Sequence, residues 1–111
     1  MALTIKQGDQ YDLEIEVAVN DQKITEATIY SVETVEIYLG DNMAEYKADG
    51  SGEVRFANGV FLFPLTQKLT FALRHAPERL DVRVKTIDGK VHGLQEKMMV
   101  TILDARSRRE L

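Results

Sequence analysis

Apolar and polar residues alternate along several segments of this chain, and the alternation predicts β-strands separated by turns. From residue 11 to residue 19 every odd-numbered position is apolar or aromatic, and the same period of two recurs in residues 35–39 and 79–85. Successive side chains of a strand point to opposite faces of its sheet, so each segment is typical of a half-buried strand.

Turn signals separate these segments. Asn58-Gly59 lies between two β-rich runs, residues 54–56 and 60–63. It predicts a tight hairpin, because such turns need residues that accept a positive φ. Asp88-Gly89 predicts a second turn, after the strand at residues 79–85. Gly40-Asp41-Asn42 ends the strand at residues 35–39.

The remaining segments give shorter predictions. Leu3–Ile5 predicts a short edge strand, and residues 46–52 predict a loop with brief pairing at its start. Thr66 can cap a helical turn over Gln67–Leu69, because its hydroxyl can accept from a free backbone N–H. Residues 98–103 are apolar on both faces, so we expect the core to cover one face and a partner or the tail to cover the other.

The pattern as a whole indicates an all-β fold. About seven short strands with little helix between them favour an antiparallel, immunoglobulin-like β-sandwich, and a small β-barrel is the alternative. The 111 residues, 44% of them hydrophobic, suit one domain with one core. We predict a single domain at residues 1–104 and a polar C-terminal tail at 105–111.

Composition excludes several classes of protein. The chain has no cysteine, which is expected of a reducing cytoplasm. The N-terminus lacks a signal-peptide pattern, and no apolar run approaches the roughly 20 residues that span a bilayer. The net charge of −4 disfavours nucleic acid. We interpret the basic cluster of Arg106, Arg108 and Arg109 as a solvated tail.

The acidic face of the strand at residues 11–19 is the first candidate for chemistry. Its carboxylates are Asp12, Glu14 and Glu16. A calcium ion usually takes its ligands from a curled loop, so we predict no metal here. The favoured interpretation is cross-strand pairing with the outward bases of another strand, Arg79, Arg83 and Lys85.

Candidate catalytic residues lack the patterns that catalysis needs. His75 and His92 are the only histidines, and neither has a local signature of an orienting carboxylate and a nucleophile. Ser31, Ser51 and Ser107 lie in no nucleophile elbow and in no phosphate-binding loop. The sequence therefore predicts a protein without enzymatic activity and without a cofactor.

The aromatic residues give a further hypothesis. The phenylalanines lie on predicted hairpin strands, where core packing is the ordinary role. Tyr30, Tyr38 and Tyr46 could instead form an exposed binding surface, since each ring has a polar tip. If the three rings are exposed and coplanar, a carbohydrate-binding module becomes the alternative function, with a glycan as ligand.

A resemblance covers most of the chain, roughly Ile5 to Leu103. It is carried by the opening Ile5-Lys6-Gln7-Gly8-Asp9-Gln10-Tyr11, by Phe63-Pro64-Leu65-Thr66-Gln67 with Thr70-Phe71-Ala72-Leu73, and by Leu80-Asp81-Val82-Arg83-Val84-Lys85 with Asp88-Gly89. These segments look like short phage and prophage-derived proteins of Gram-positive bacteria, which resemble the immunoglobulin-like domain at the start of phage baseplate and tail subunits. The resemblance implies a non-enzymatic structural component.

We therefore predict a phage- or prophage-related assembly module that acts through protein–protein contacts. Its partners would be other virion or prophage structural proteins, or further copies of itself. An exposed strand edge or the last strand would dock to them, since unpaired backbone groups are templates for strand addition. The expected location is the host cytoplasm before assembly, or the virion. The candidate partner-binding residues are Met99, Thr101, Leu103, Tyr30, Tyr38 and Tyr46.

Overall fold

A computed structural model describes residues 3–74, 77–93, 98–105 and 109–111 of the chain. Within these residues it has eleven strands, a 3-10 turn at Ile29–Ser31 and a helix α1 at Gln67–Ala72. In chain order the strands are β1 (Leu3–Lys6), β2 (Tyr11–Ile15), β3 (Ala18–Val19), β4 (Gln22–Lys23), β5 (Val32–Leu39), β6 (Asn42–Lys47), β7 (Arg55–Ala57), β8 (Val60–Leu65), β9 (Glu78–Thr86), β10 (Val91–Gly93) and β11 (Met98–Leu103).

Two separate sheets face each other. The larger sheet has the order β1-β11-β9-β5-β6, with β10 also paired to β9. The smaller sheet has the order β2-β8-β7, and β3 and β4 form a hairpin of their own. The all-β prediction is confirmed, and the arrangement is a sandwich rather than the alternative small barrel. The eleven strands of the described residues are more numerous than the predicted seven.

One pair of strands departs from the predicted antiparallel pattern. β1 runs parallel to β11, with Leu3 opposite Val100 and Lys6 opposite Leu103. β1 is an edge strand, as its short apolar run predicts. Its direction could not be predicted, because it depends on pairing between the two ends of the chain.

The alternating segments place their apolar side chains between the sheets. In β5 the side chains of Val35, Ile37 and Leu39 are fully buried, and β9 buries Leu80 and Val82. The smaller sheet contributes a set of large side chains from β2 and β8: Leu13, Ile15, Phe61, Phe63 and Leu65. Burying an aliphatic or aromatic side chain of this size contributes roughly 1.5–3 kcal/mol, so these two faces form the core.

The Asn58-Gly59 hairpin forms as predicted. Asn58 has a φ of 52° and Gly59 a φ of 80°, the two positive values that a two-residue turn of this type needs. The turn joins β7 to β8 and aligns Ala57 with Val60. Phe61 then packs under Phe56, with 4.8 Å between ring centroids.

The brief pairing predicted at the start of the loop at 46–52 is confirmed, because Tyr46 and Lys47 end β6 and pair with β5. Two other local predictions need correction. The strand predicted at 11–19 stops at Ile15, because its partner β8 begins only at Val60, and Tyr11 at its start is 42% exposed. The helical turn capped by Thr66 continues as α1 to Ala72.

The predicted ion pairs between residues 11–19 and the strand at 79–85 are also wrong. These two segments lie in different sheets, and each strand finds its charge partners nearby. The observed pairs are Asp12 with Arg55 at 2.8 Å, Glu16 with Lys23 at 3.2 Å, Arg83 with Glu36 at 3.8 Å, Lys85 with Glu33 at 3.8 Å and Arg79 with Asp81 at 3.9 Å.

Candidate functional site

β11 has one buried face and one open face. Val100 and Ile102 point into the core and are at most 1% exposed. Thr101 and Leu103 point the other way and are exposed, Leu103 by 44%. The core therefore covers one face, as predicted, and the other face is accessible at these two residues. The side chain of Met99 lies outside the described part of the structure.

The parallel register of β1 extends this open face. Thr4 lies opposite Thr101 and Lys6 opposite Leu103, and both β1 residues are exposed. We call these four residues the β1–β11 outer surface. It combines a large apolar side chain, two hydroxyls and one ammonium group, a composition that suits a protein contact better than catalysis.

The centre of the same sheet presents charged rows. Glu36 lies opposite Arg83 in the register of β5 and β9, and Glu33 reaches Lys85 one row further along. A shallow groove of about 250 Å³ runs between these side chains. Exposed pairs of this kind contribute at most about 1 kcal/mol each, so this region is a hydrated sheet face.

The three candidate tyrosines do not share a surface. Tyr30 is 77% exposed at the 3-10 turn before β5. Tyr38 is half-buried on the outer face of β5, opposite Met43. Tyr46 packs against the core edge-to-face on Phe61, with 5.4 Å between ring centroids. The coplanar platform that a carbohydrate site needs is therefore not formed by these rings.

A cleft lies at one end of the sandwich, between the β3–β4 and β9–β10 turns. Its volume is about 340 Å³, and its lining includes Asn20, Ile87 and His92. Asp88, also in the lining, accepts hydrogen bonds from the hydroxyl of Thr86 and from the backbone N–H of Lys90. These bonds lower the pKa of Asp88 and fix the turn, which gives the carboxylate a structural role.

Of the two histidines, the structure describes only His92. His92 is half-buried on β10, opposite Val84 of β9. His75 lies outside the described residues, and so does Ser107. Arg106 and Arg108 of the predicted basic tail also lie outside them, whereas Arg109 is exposed.

Buried polar side chains form hydrogen bonds that connect loops to the sandwich. The sequence pattern did not identify these side chains. The Nε2 of Gln7 donates to the carbonyl of Leu73 at 2.7 Å. The carboxylate of Glu78 accepts from the Nε of Arg74 at 2.9 Å. Among the described residues, every buried side-chain nitrogen or oxygen atom has a hydrogen-bond partner. No sequence motif marks these residues, because their partners are distant or lie in loops.

Searches against known proteins give no relatives. No family model matches this sequence, and no curated protein and no solved structure matches it either. Within the described ranges, no three His, Asp or Glu side chains are grouped so as to hold a metal ion. No helix in this part of the chain is long and apolar enough to cross a bilayer.

Proposed function

We propose that this protein is a non-enzymatic structural or assembly module that acts through protein–protein contacts, as a phage- or prophage-related component. The β1–β11 outer surface is the observation that carries the proposal. It holds Leu103, a large apolar side chain that is 44% exposed on a strand whose other face is core. An exposed large apolar side chain with polar neighbours is compatible with a contact site.

The roles of the charged side chains support the same proposal. Asp12 pairs with Arg55 across the face of β8, Glu36 pairs with Arg83 on the neighbouring strand, and Asp88 stabilises its own turn. Charges used in this way stabilise or solubilise a fold. The resemblance to small baseplate and tail domains supplies the biological context, namely assembly in the host cytoplasm or incorporation into a virion.

The test is light scattering coupled to size-exclusion chromatography over a wide concentration range, followed by capture of proteins encoded by neighbouring genes. We expect a discrete oligomer or a specific partner complex. Leu103→Lys should abolish it, because an ammonium group would be buried in the contact. Met43→Lys is the matched control, since Met43 is 46% exposed on the opposite edge of the same sheet.

Two results would overturn the proposal. One is a strict monomer that captures no neighbouring gene product. The other is equal loss of assembly in both variants, which would mean that added charge rather than the β1–β11 outer surface controls association. Both variants should keep the wild-type circular dichroism spectrum, since both side chains point away from the core.

A further inference from the structure

Both edges of the larger sheet are partly closed by their own chain. At β1, the N–H of Lys6 donates to the Oδ2 of Asp9 at 3.3 Å, and its carbonyl accepts from the N–H of Asp9 at 3.1 Å. At β6, the N–H of Glu45 donates to the Oε2 of Glu53 at 3.2 Å, and its carbonyl accepts from the N–H of Val54 at 3.1 Å. These bonds occupy the outward backbone groups of Lys6 and Glu45, so an incoming strand could not pair with these two residues.

The bonding direction in the smaller sheet follows from its hairpin. In a two-residue turn the flanking residues, here Ala57 and Val60, form the hydrogen-bonded closing pair. Residues 60 and 62 of β8 therefore bond to β7, and residues 61 and 63 bond to β2. Pro64, which has no N–H, lies opposite Asp12, where β2 requires no donor.

The outer edge of β2 is consequently open. Because Leu13 and Ile15 bond to β8, the backbone N–H and C=O groups of Asp12 and Glu14 point away from the sheet. Among the described residues none donates to or accepts from these four groups, which we call the β2 edge. β7, the other edge of this sheet, has only three residues and directs only Phe56 outward.

Charge restricts what can pair with this edge. The side chains of Asp12, Glu14 and Glu16 alternate with buried Leu13 and Ile15, so they stand on the exposed face of the smaller sheet. Asp12 pairs with Arg55 and Glu16 with Lys23, so among the described residues Glu14 is the carboxylate of this face without an ion pair. A second copy pairing through β2 would set carboxylates opposite carboxylates, which is destabilising. A segment with Lys or Arg at every second position, paired with β2 as an added strand, would place positive charges opposite the carboxylates of β2.

We propose that the β2 edge binds an extended, basic segment of a partner protein, which adds a strand to the β2-β8-β7 sheet. Backbone hydrogen bonds would supply the alignment, and the Glu14 carboxylate would favour a partner with a basic side chain at the facing position. This inference rests on the proposed function, since it names the class of partner that such a module takes.

The test uses the full-length protein and a fluorescein-labelled peptide, Thr-Lys-Val-Lys-Val-Lys-Thr, titrated by fluorescence anisotropy. Its controls are the same peptide with Glu in place of Lys, and the same peptide N-methylated at alternate residues. We expect the unmodified basic peptide to bind, with shifts of the Asp12 and Glu14 amide resonances in NMR spectra, and the Glu peptide not to bind. N-methylation at alternate residues removes the donors of one edge of the peptide, so one of the two N-methylated registers should lose binding. Binding of both N-methylated registers as tight as that of the unmodified peptide would overturn the inference.

Two variants separate the β2 edge from general electrostatics. Glu14→Lys should weaken binding about tenfold, because it turns a cross-strand attraction into a repulsion. Glu26→Lys makes the same change of net charge at an exposed loop position and should change binding less than about twofold. Equal losses in both variants would overturn the inference. Peptide binding that fails while assembly through Leu103 persists would refute the β2 edge alone.

Discussion

Replacing Thr70 tests how the two sheets are joined at one end. The side chain of Thr70 is fully buried in α1. Its hydroxyl accepts from the backbone N–H of Gly8 at 2.9 Å and donates to the carbonyl of Asp9 at 2.9 Å. One hydroxyl thus anchors the loop through which the chain passes from β1 in the larger sheet to β2 in the smaller one.

The expected magnitude follows from these contacts. Thr70→Val keeps the shape of the side chain and leaves the N–H of Gly8 and the carbonyl of Asp9 without this partner. A buried group that loses its partner costs about 1–3 kcal/mol. Gly8 is only partly buried, so water recovers part of its loss. We expect a decrease of about 2 kcal/mol in the free energy of unfolding, or about 8 °C in Tm for a domain of this size.

Urea unfolding followed by circular dichroism measures this change. Thr70→Ser is the matched control, because it keeps the hydroxyl and removes one methyl group, at a cost of about 1 kcal/mol. The valine variant should therefore be the less stable of the two. A valine variant as stable as the wild type, or more stable than the serine variant, would refute the role assigned to the hydroxyl.

Two other perturbations have defined outcomes. Gly52→Ala should cost about 1–3 kcal/mol in urea unfolding, because the new Cβ would lie 2.1 Å from the carbonyl oxygen of Glu45, whereas Gly93→Ala should be nearly neutral, since its Cβ would have no non-adjacent atom of the described residues within 4 Å. Asp88 has a lowered pKa because it accepts a hydrogen bond from Thr86. The ionised carboxylate therefore adds to the free energy of unfolding above the unfolded-state pKa, and this contribution is lost as the pH falls through the folded-state pKa. The difference in Tm between the wild type and Asp88→Asn should accordingly shrink from pH 7 to pH 3, and a difference that grows would contradict this assignment.

The open and closed strand edges determine where another chain could pair with the sheets of the module proposed above. Lys6 and Glu45 have their outward backbone groups occupied, so neither β1 nor β6 offers a ready template at these positions. The β2 edge is open but acidic, which opposes pairing between identical copies. If the β2 edge binds a basic segment as proposed, these features would disfavour edge pairing between identical copies.

Much of the fold could be predicted from local sequence. The period of two in β5 and β9 identified both strands and their buried faces, because side-chain alternation depends only on the strand itself. Asn58-Gly59 identified its hairpin, since the turn conformation is set by the residues within it. Thr66 likewise marked the start of α1. The open face of Thr101 on β11 also follows from alternation.

Other features were decided only by the tertiary structure. The sequence cannot specify that Leu3 pairs in parallel with Val100, that Tyr46 packs on Phe61, or that Asp12 finds Arg55 rather than a base of β9. The accessible strand edges were equally beyond prediction. All of these depend on contacts between residues far apart along the chain, whose free energies are set by which sheet faces and edges meet. Local alternation determines which side chains a strand buries, and long-range pairing determines what they are buried against.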